Sequence, residues 1–217
     1  MLLTVTLAGC SKSKQSAANL PSGASLVTDA ATKTKTLKSA HIKIETDGDV
    51  GSLPLRRAEG DLLQSGDAKG NVQLSQFGVL IQYDFVVVGK DIYLKGVTGG
   101  FQKVDAATAA SIYDPSAVLD PDRGIAKLLS TATNPKTEAR EQVDGKDSYR
   151  VAVNLDPAVV SNLVPGVTGT VTGKLWLDAN THDLVKAVLT VPGSAGKPAT
   201  VTISESNVDV PVTVSAP

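Results

Sequence analysis

The stretch Val79-Leu80-Ile81-Gln82-Tyr83-Asp84-Phe85-Val86-Val87-Val88 decides the fold. Val79, Ile81, Tyr83, Phe85 and Val87 fall at every second position, opposed by Leu80, Gln82, Asp84, Val86 and Val88. A period of two is what a strand requires, because successive side chains point to opposite faces of a sheet. The same alternation recurs on both sides. Upstream, Ile42 and Ile44 alternate with His41, Lys43 and Glu45, and Val72 and Leu74 alternate with Asn71, Gln73 and Ser75. Downstream, Tyr149, Val151, Val153 and Leu155 share a face, as do Val171, Leu175 and Leu177. The runs 138–143, 184–191 and 199–204 complete about ten or eleven strands. Short Gly/Asp loops separate them: Asp47-Gly48, Asp67 to Gly70, Gly89-Lys90-Asp91, Gly99-Gly100 and Asp144-Gly145. Such turns suit antiparallel hairpins and meanders, so the strands add up to one large, curved antiparallel sheet.

Helices break this pattern in a few places. Val27, Ala30, Thr34 and Leu37 recur at helical spacing and predict a helix over 25–39. Three Asp-Pro pairs, Asp114-Pro115, Asp120-Pro121 and Asp156-Pro157, read as helix starts. In each, Asp accepts from orphan N–H groups and Pro at the first helical position forfeits no hydrogen bond. The second pair precedes Ile125, Leu128, Leu129 and Ala132, one aliphatic face at i, i+3, i+4 and i+7. The third precedes Val159, Val160 and Leu163. Short helices laid on one face of a sheet make an α+β layer arrangement.

Composition narrows the function. The chain has 217 residues with 21 basic and 22 acidic side chains, a net charge of −1 and no basic cluster beyond Arg56-Arg57. That balance argues against a nucleic-acid partner. One Cys excludes an intrachain disulfide and a multi-thiol metal site. Aromatic residues are only 4%, so the interior is lined by Val, Leu, Ile and Ala. No G-x-S-x-G, H-E-x-x-H, P-loop or G-x-G-x-x-G stands in the chain, so neither an enzyme nor a cofactor is expected. His182 is placed in a solvated turn, His41 on the polar face of the first strand, and Trp176 away from the Leu175/Leu177 face.

The N-terminus carries a different signal. Met1-Leu2-Leu3-Thr4-Val5-Thr6-Leu7 leads into Ala8-Gly9-Cys10, which resembles the lipobox of bacterial lipoproteins. That resemblance implies a diacylglyceryl thioether on Cys10, loss of residues 1–9 as a signal-peptide remnant, and acylation (palmitate, for instance) of the new amine. Two or three acyl chains anchor a protein stably where one does not. The apolar run is short and lacks a basic n-region, so the true start is expected upstream of Met1. Residues 10–25, rich in Ser, Lys, Gln and Ala, read as a flexible tether, and 26–217 as one domain. The lipid would be the sole attachment to the outer face of the plasma membrane, with partial secretion a further outcome.

A longer resemblance covers the chain from Cys10 nearly to its end. Ile112-Tyr113-Asp114-Pro115-Ser116-Ala117-Val118-Leu119-Asp120-Pro121-Asp122-Arg123-Gly124-Ile125-Ala126-Lys127-Leu128-Leu129 is similar to the signature of the mycobacterial LppX/LprA/LprF/LprG lipoprotein family. Ser39-Ala40-His41, Gly60-Asp61-Leu62, Gly70-Asn71-Val72 and Leu175-Trp176-Leu177 resemble family positions at compatible spacing. The likeness is greatest to the LprG branch, with LprF near. Ser204-Glu205-Ser206-Asn207 departs from the Ser/Asn-x-Trp-Gly usual there.

The resemblance implies a LolA/LolB-like half-barrel whose concave face is covered by helices over an apolar cavity. It implies triacylated glycolipids as ligands (phosphatidylinositol mannosides, lipomannan, lipoarabinomannan) or triacylglycerol, carried from the plasma membrane toward the outer envelope, and a major-facilitator export pump as partner. The expected lining is Val72, Leu74, Ile81, Tyr83 and Phe85 from the first strands, Ile125, Leu128 and Leu129 from the covering helix, and Val151, Val153, Leu175 and Leu177 from later strands. Aliphatic walls with few polar groups suit a site that hides acyl tails. Periodicity alone would read the same for a filled core. The alternative is therefore a membrane-tethered structural or interaction protein, such as an export-pump accessory, with its interior packed. A glycan hydrolase would need paired carboxylates facing across a cleft.

Overall fold

A computed structural model of the chain describes residues 20–50, 55–76, 78–105, 114–193 and 196–217. Cys10, the signal remnant, most of the expected tether, and Ile112 and Tyr113 of the family segment lie outside these residues. Eleven strands form one antiparallel sheet: β1 Ser39–Asp47, β2 Leu55–Leu63, β3 Ala68–Gln76, β4 Val79–Val88, β5 Asp91–Lys95, β6 Gln102–Val104, β7 Thr133–Val143, β8 Lys146–Leu155, β9 Val171–Asp178, β10 Leu184–Pro192 and β11 Pro198–Ser206. Their order is β6-β5-β4-β3-β2-β1-β11-β10-β9-β8-β7. Two meanders thus meet at the centre, where the first strand pairs with the last.

Directly opposed residues of antiparallel strands share a face. One row crosses eight strands: Tyr83, Val72, Ala58, Ile44, Ile203, Ala187, Leu175 and Val151. Every member is apolar, and this is the face that curls inward. The other face is charged. On β1 and β2, His41 sits 2.8 Å from Asp61 and 3.2 Å from Glu59. On β7 to β10, Arg150 reaches Glu138 (3.0 Å) and Glu141 (2.9 Å). Trp176 points to this side too, its indole N–H donating to Glu141 at 2.6 Å and its ring lying 5.9 Å below Lys186.

The topology explains why helices cover the concave side. β6 and β7 occupy opposite edges, so the chain between them must traverse the sheet, about 48 Å if it were flat at about 4.8 Å per strand. Curling shortens the route, and crossing over the apolar face buries it. That connection holds a 3₁₀ turn, Pro115–Ala117, and helix α2, Ile125–Ser130. Helix α1, Gly23–Thr34, packs beside α2 with Leu26, Val27, Ala30, Ala31 and Thr34 buried. Helix α3, Pro157–Leu163, buries Val159, Val160 and Leu163 and touches α2. Among the described residues no helix is long and apolar enough to cross a membrane.

Two starts differ from expectation. α1 begins at Gly23, inside the expected tether, because the chain there is fastened to β7. Thr137 Oγ1 donates to the Pro21 carbonyl at 2.7 Å, and a Cβ on Gly23 would lie 2.9 Å from the Pro135 carbonyl, so only glycine fits. The second Asp-Pro pair caps a turn instead of a helix. Asp120 accepts from the Asp122 and Arg123 N–H groups, but the Ile125 N–H goes back to the Val118 carbonyl. The helix therefore starts at Ile125, after Gly124, whose Cβ would clash with that carbonyl at 2.1 Å. The other two pairs cap as read: Asp114 accepts from Ser116 N–H and Asp156 from Ala158 N–H.

Candidate lipid site on the concave face

The concave face is covered unevenly. Beneath α1 and α2, Val151, Val153, Leu175 and Leu177 of the later strands and Ile125, Leu128 and Leu129 of α2 are all buried in one continuous apolar cluster, Leu175 at 0% exposure. Toward β4 the cover thins. Leu74 and Phe85 belong to the same cluster, Val72 and Tyr83 are half-buried against it, and Ile81 is half-exposed and outside it. Along the inward side of β4, burial falls from Phe85 and Val87 through Tyr83 and Ile81 to Val79 at 61% exposed. The expected lining thus divides into a closed flank on β8, β9 and α2, and a partly open flank on β3 and β4.

Sequence reading missed the extension of the open flank. Leu94 pairs with Phe85 and Ile92 with Val87, so β5 continues the strip, and both side chains pack half-buried against the core. The signal was present in Asp91-Ile92-Tyr93-Leu94-Lys95, where two aliphatics bracket a Tyr. Between the flanks lies a narrow apolar cleft of about 10 Å³, floored by Ile42, Ile44, Ala58 and Phe85 and roofed by Pro115 and Val118. That is room for about one water molecule. A larger groove of about 280 Å³ runs past Thr172 and Thr190. These two threonines alternate with the buried Val171 and Val191, so its floor belongs to the opposite face.

Electrostatics separate the two faces further. On the outer face, burial works against the charged form of His41. Hydrogen bonds to Asp61 and Glu59, reinforced by their charges, outweigh it and raise the imidazole pKa above its ordinary value. Hydrogen bonds from Arg57 and then His41 hold Glu59 below the usual carboxylate range. His182, in its turn, is tied to α1 through Asp29 at 3.1 Å and is not free in solvent. The concave face holds one group of the opposite kind. Glu205 is 3% exposed, and burial pushes its carboxyl up to about 8 from an ordinary 4.5.

This carries a pH dependence. A carboxyl with a raised folded-state pKa keeps its proton in the native state while the unfolded chain loses it, so stability falls as pH rises from about 4.5 toward about 8 and then levels. At pH 7 the loss amounts to roughly 3 kcal/mol relative to acid pH. His41 acts in the same direction at the upper end, since its contribution is present below its ordinary pKa and disappears above the raised one. Glu59 acts only on acidification, below the usual carboxylate range. Urea unfolding of Glu205→Gln between pH 5 and 8 is expected to show most of the slope removed, with the variant more stable than the parent at pH 7. An unchanged slope would place its source elsewhere.

Residues 22–214 match the LppX_LprAFG lipoprotein family. The chain belongs to that family. It is 34% identical over 216 residues to the lipoarabinomannan carrier protein LprG of Mycolicibacterium smegmatis, covering 97% of this chain and 90% of that protein. It is 34% identical over 193 residues to LprG of Mycobacterium tuberculosis, covering 87% and 81%. Among solved structures, LprF of Mycobacterium bovis superposes with a TM-score of 0.78 at 26% identity, covering 90% of this chain and 96% of that one. LppX of Mycobacterium tuberculosis superposes with a TM-score of 0.66 at 20% identity, covering 89% and 98%, a likeness of fold. As an LppX_LprAFG lipoprotein, the chain has the half-barrel architecture that its sequence resemblance implied.

Proposed function

We propose that this LppX_LprAFG lipoprotein binds multi-acylated lipids, lipoglycans such as lipoarabinomannan among them, between its concave sheet and its helical cover, and carries them across the cell envelope. The supporting observation is an unbroken apolar row across eight strands, fully roofed on one flank and half-roofed on the other. Each CH₂ taken out of water is worth about 0.8 kcal/mol, so acyl tails need such a shelter to pass an aqueous layer. The two LprG relatives, named as lipoarabinomannan carriers, support the same reading. The narrow cleft under Pro115 and Val118 would open by displacement of that turn as a tail enters. Cys10 would hold the carrier at the outer face of the plasma membrane, and an export pump would be its neighbour there. The role is binding and transfer, not catalysis.

A second reading keeps the interior filled and makes the domain a tethered structural or interaction protein; the small volume of the cleft favours it. Purification from a glycolipid-producing host, solvent extraction and mass spectrometry separate the two. The carrier reading expects acylated lipid in near-stoichiometric amount, and recovery of none overturns it.

A further inference from the structure

Glu205 interrupts an otherwise apolar surface. Ala199, Val201, Ile203 and Glu205 alternate along β11 on the buried face, and Glu205 stands directly opposite Ile42. Both of its carboxyl oxygens are shielded from solvent, and neither has a hydrogen-bond partner among the described residues. Buried polar groups in folded proteins are nearly always paired, so an orphan asks for a partner that is not part of the chain. The charged groups around it come from three segments, and the two acidic ones are engaged elsewhere. Asp183, ahead of β10, meets Lys33 of α1 at 3.8 Å; Asp209 accepts from the Lys38 N–H at 2.7 Å; Lys146 opens β8. His41 and Lys43 of β1 alternate with Ile42 and so occupy the outer face. Next to Glu205, β10 carries a bulge between Leu184 and Lys186, a device that re-aims side chains and is frequent beside binding sites.

We propose that Glu205 is the polar anchor of the lipid site: its uncharged carboxyl donates a hydrogen bond to an ester carbonyl or hydroxyl oxygen at the head end of an acyl lipid lying along the concave face. This rests on the carrier reading and adds to it the ligand group that is recognised and the residue that recognises it. The surroundings favour a neutral oxygen over an ion, because the aliphatic neighbours along β1 and β11 penalise a charge brought beside the carboxyl. They also disfavour a trapped water, which needs two to four polar partners, since no described group lies within hydrogen-bond reach of either carboxyl oxygen.

The test uses the full chain and its Glu205→Gln and Glu205→Leu variants, with displacement of a fluorescent acyl probe by 1,2-dioleoylglycerol and by squalene, an apolar ligand without oxygen. Thermal unfolding confirms that each variant is folded. Glu205→Leu is expected to bind dioleoylglycerol about tenfold more weakly with squalene binding unchanged, while Glu205→Gln, which still donates and accepts, stays within about twofold of the parent. Equal dioleoylglycerol affinity in the parent and Glu205→Leu overturns the anchor and leaves the carrier reading standing, as does an equal loss in both variants. A parent chain that binds neither ligand overturns the carrier reading itself.

Discussion

Val72→Trp is expected to leave a folded chain that carries at least about tenfold less acyl lipid than the parent. Val72 lies on the partly open flank, between Ala58 and Tyr83 in the transverse row, and is half-buried against the core. An indole there projects over the small Ala58 and across the apolar cleft that Ala58, Ile44 and Phe85 floor. It takes the volume that a tail would use. Because the site is half-exposed, the ring can lean outward, so the overpacking cost stays at or below the usual 1–3 kcal/mol for a core enlargement. Lipid per protein by mass spectrometry, alongside thermal unfolding, reads both effects. Unchanged loading would remove β3 from the binding surface.

Leu175→Ala, on the closed flank, is expected to do the reverse. Leu175 is fully buried between Ala187 and Val151 beneath the helices. Removing its branched end loses transfer free energy and leaves a cavity, together about 4 kcal/mol for a site that cannot collapse. If, as the carrier reading has it, the tails lie on the other flank, loading should remain within about twofold of the parent. A urea midpoint lowered at unchanged slope is the expected result. A loss below about 1 kcal/mol would mean that this flank is already hollow, which would move the binding site from β3–β5 to β8–β9.

Much of this arrangement can be read from local pattern. The alternation from Val79 to Val88 became β4, and Asp144-Gly145 became a two-residue turn with both residues left-handed, φ 50° and 79°, as a hairpin of that length demands. The inward row follows from the same period. What escaped depends on contacts distant in sequence. Pairing of β1 with β11, which joins the two meanders, leaves no local trace. The start of α1 is set by Pro135 and Thr137, more than a hundred residues away; the start of α2 is set by the nearer Val118 carbonyl, a turn contact that helical periodicity does not encode. Ile81 obeys the period of its strand, yet it lies half-exposed because the roof does not reach it. Glu205 shows the opposite failure: the run read as a strand stops at Ser204, whereas β11 continues to Ser206 and carries Glu205 inward in the alternation Ala199, Val201, Ile203.

The central claim is that acyl chains occupy the concave face on its half-roofed flank. Photo-crosslinking with a triacylglycerol carrying a diazirine in one acyl chain, followed by peptide mapping, addresses it most directly. The account predicts adducts on the inward residues of β3 to β5, Val72, Ile81, Tyr83, Ile92 and Leu94, competed away by unlabelled lipid. Adducts confined to the outer face, around Trp176 and Arg150, would contradict it.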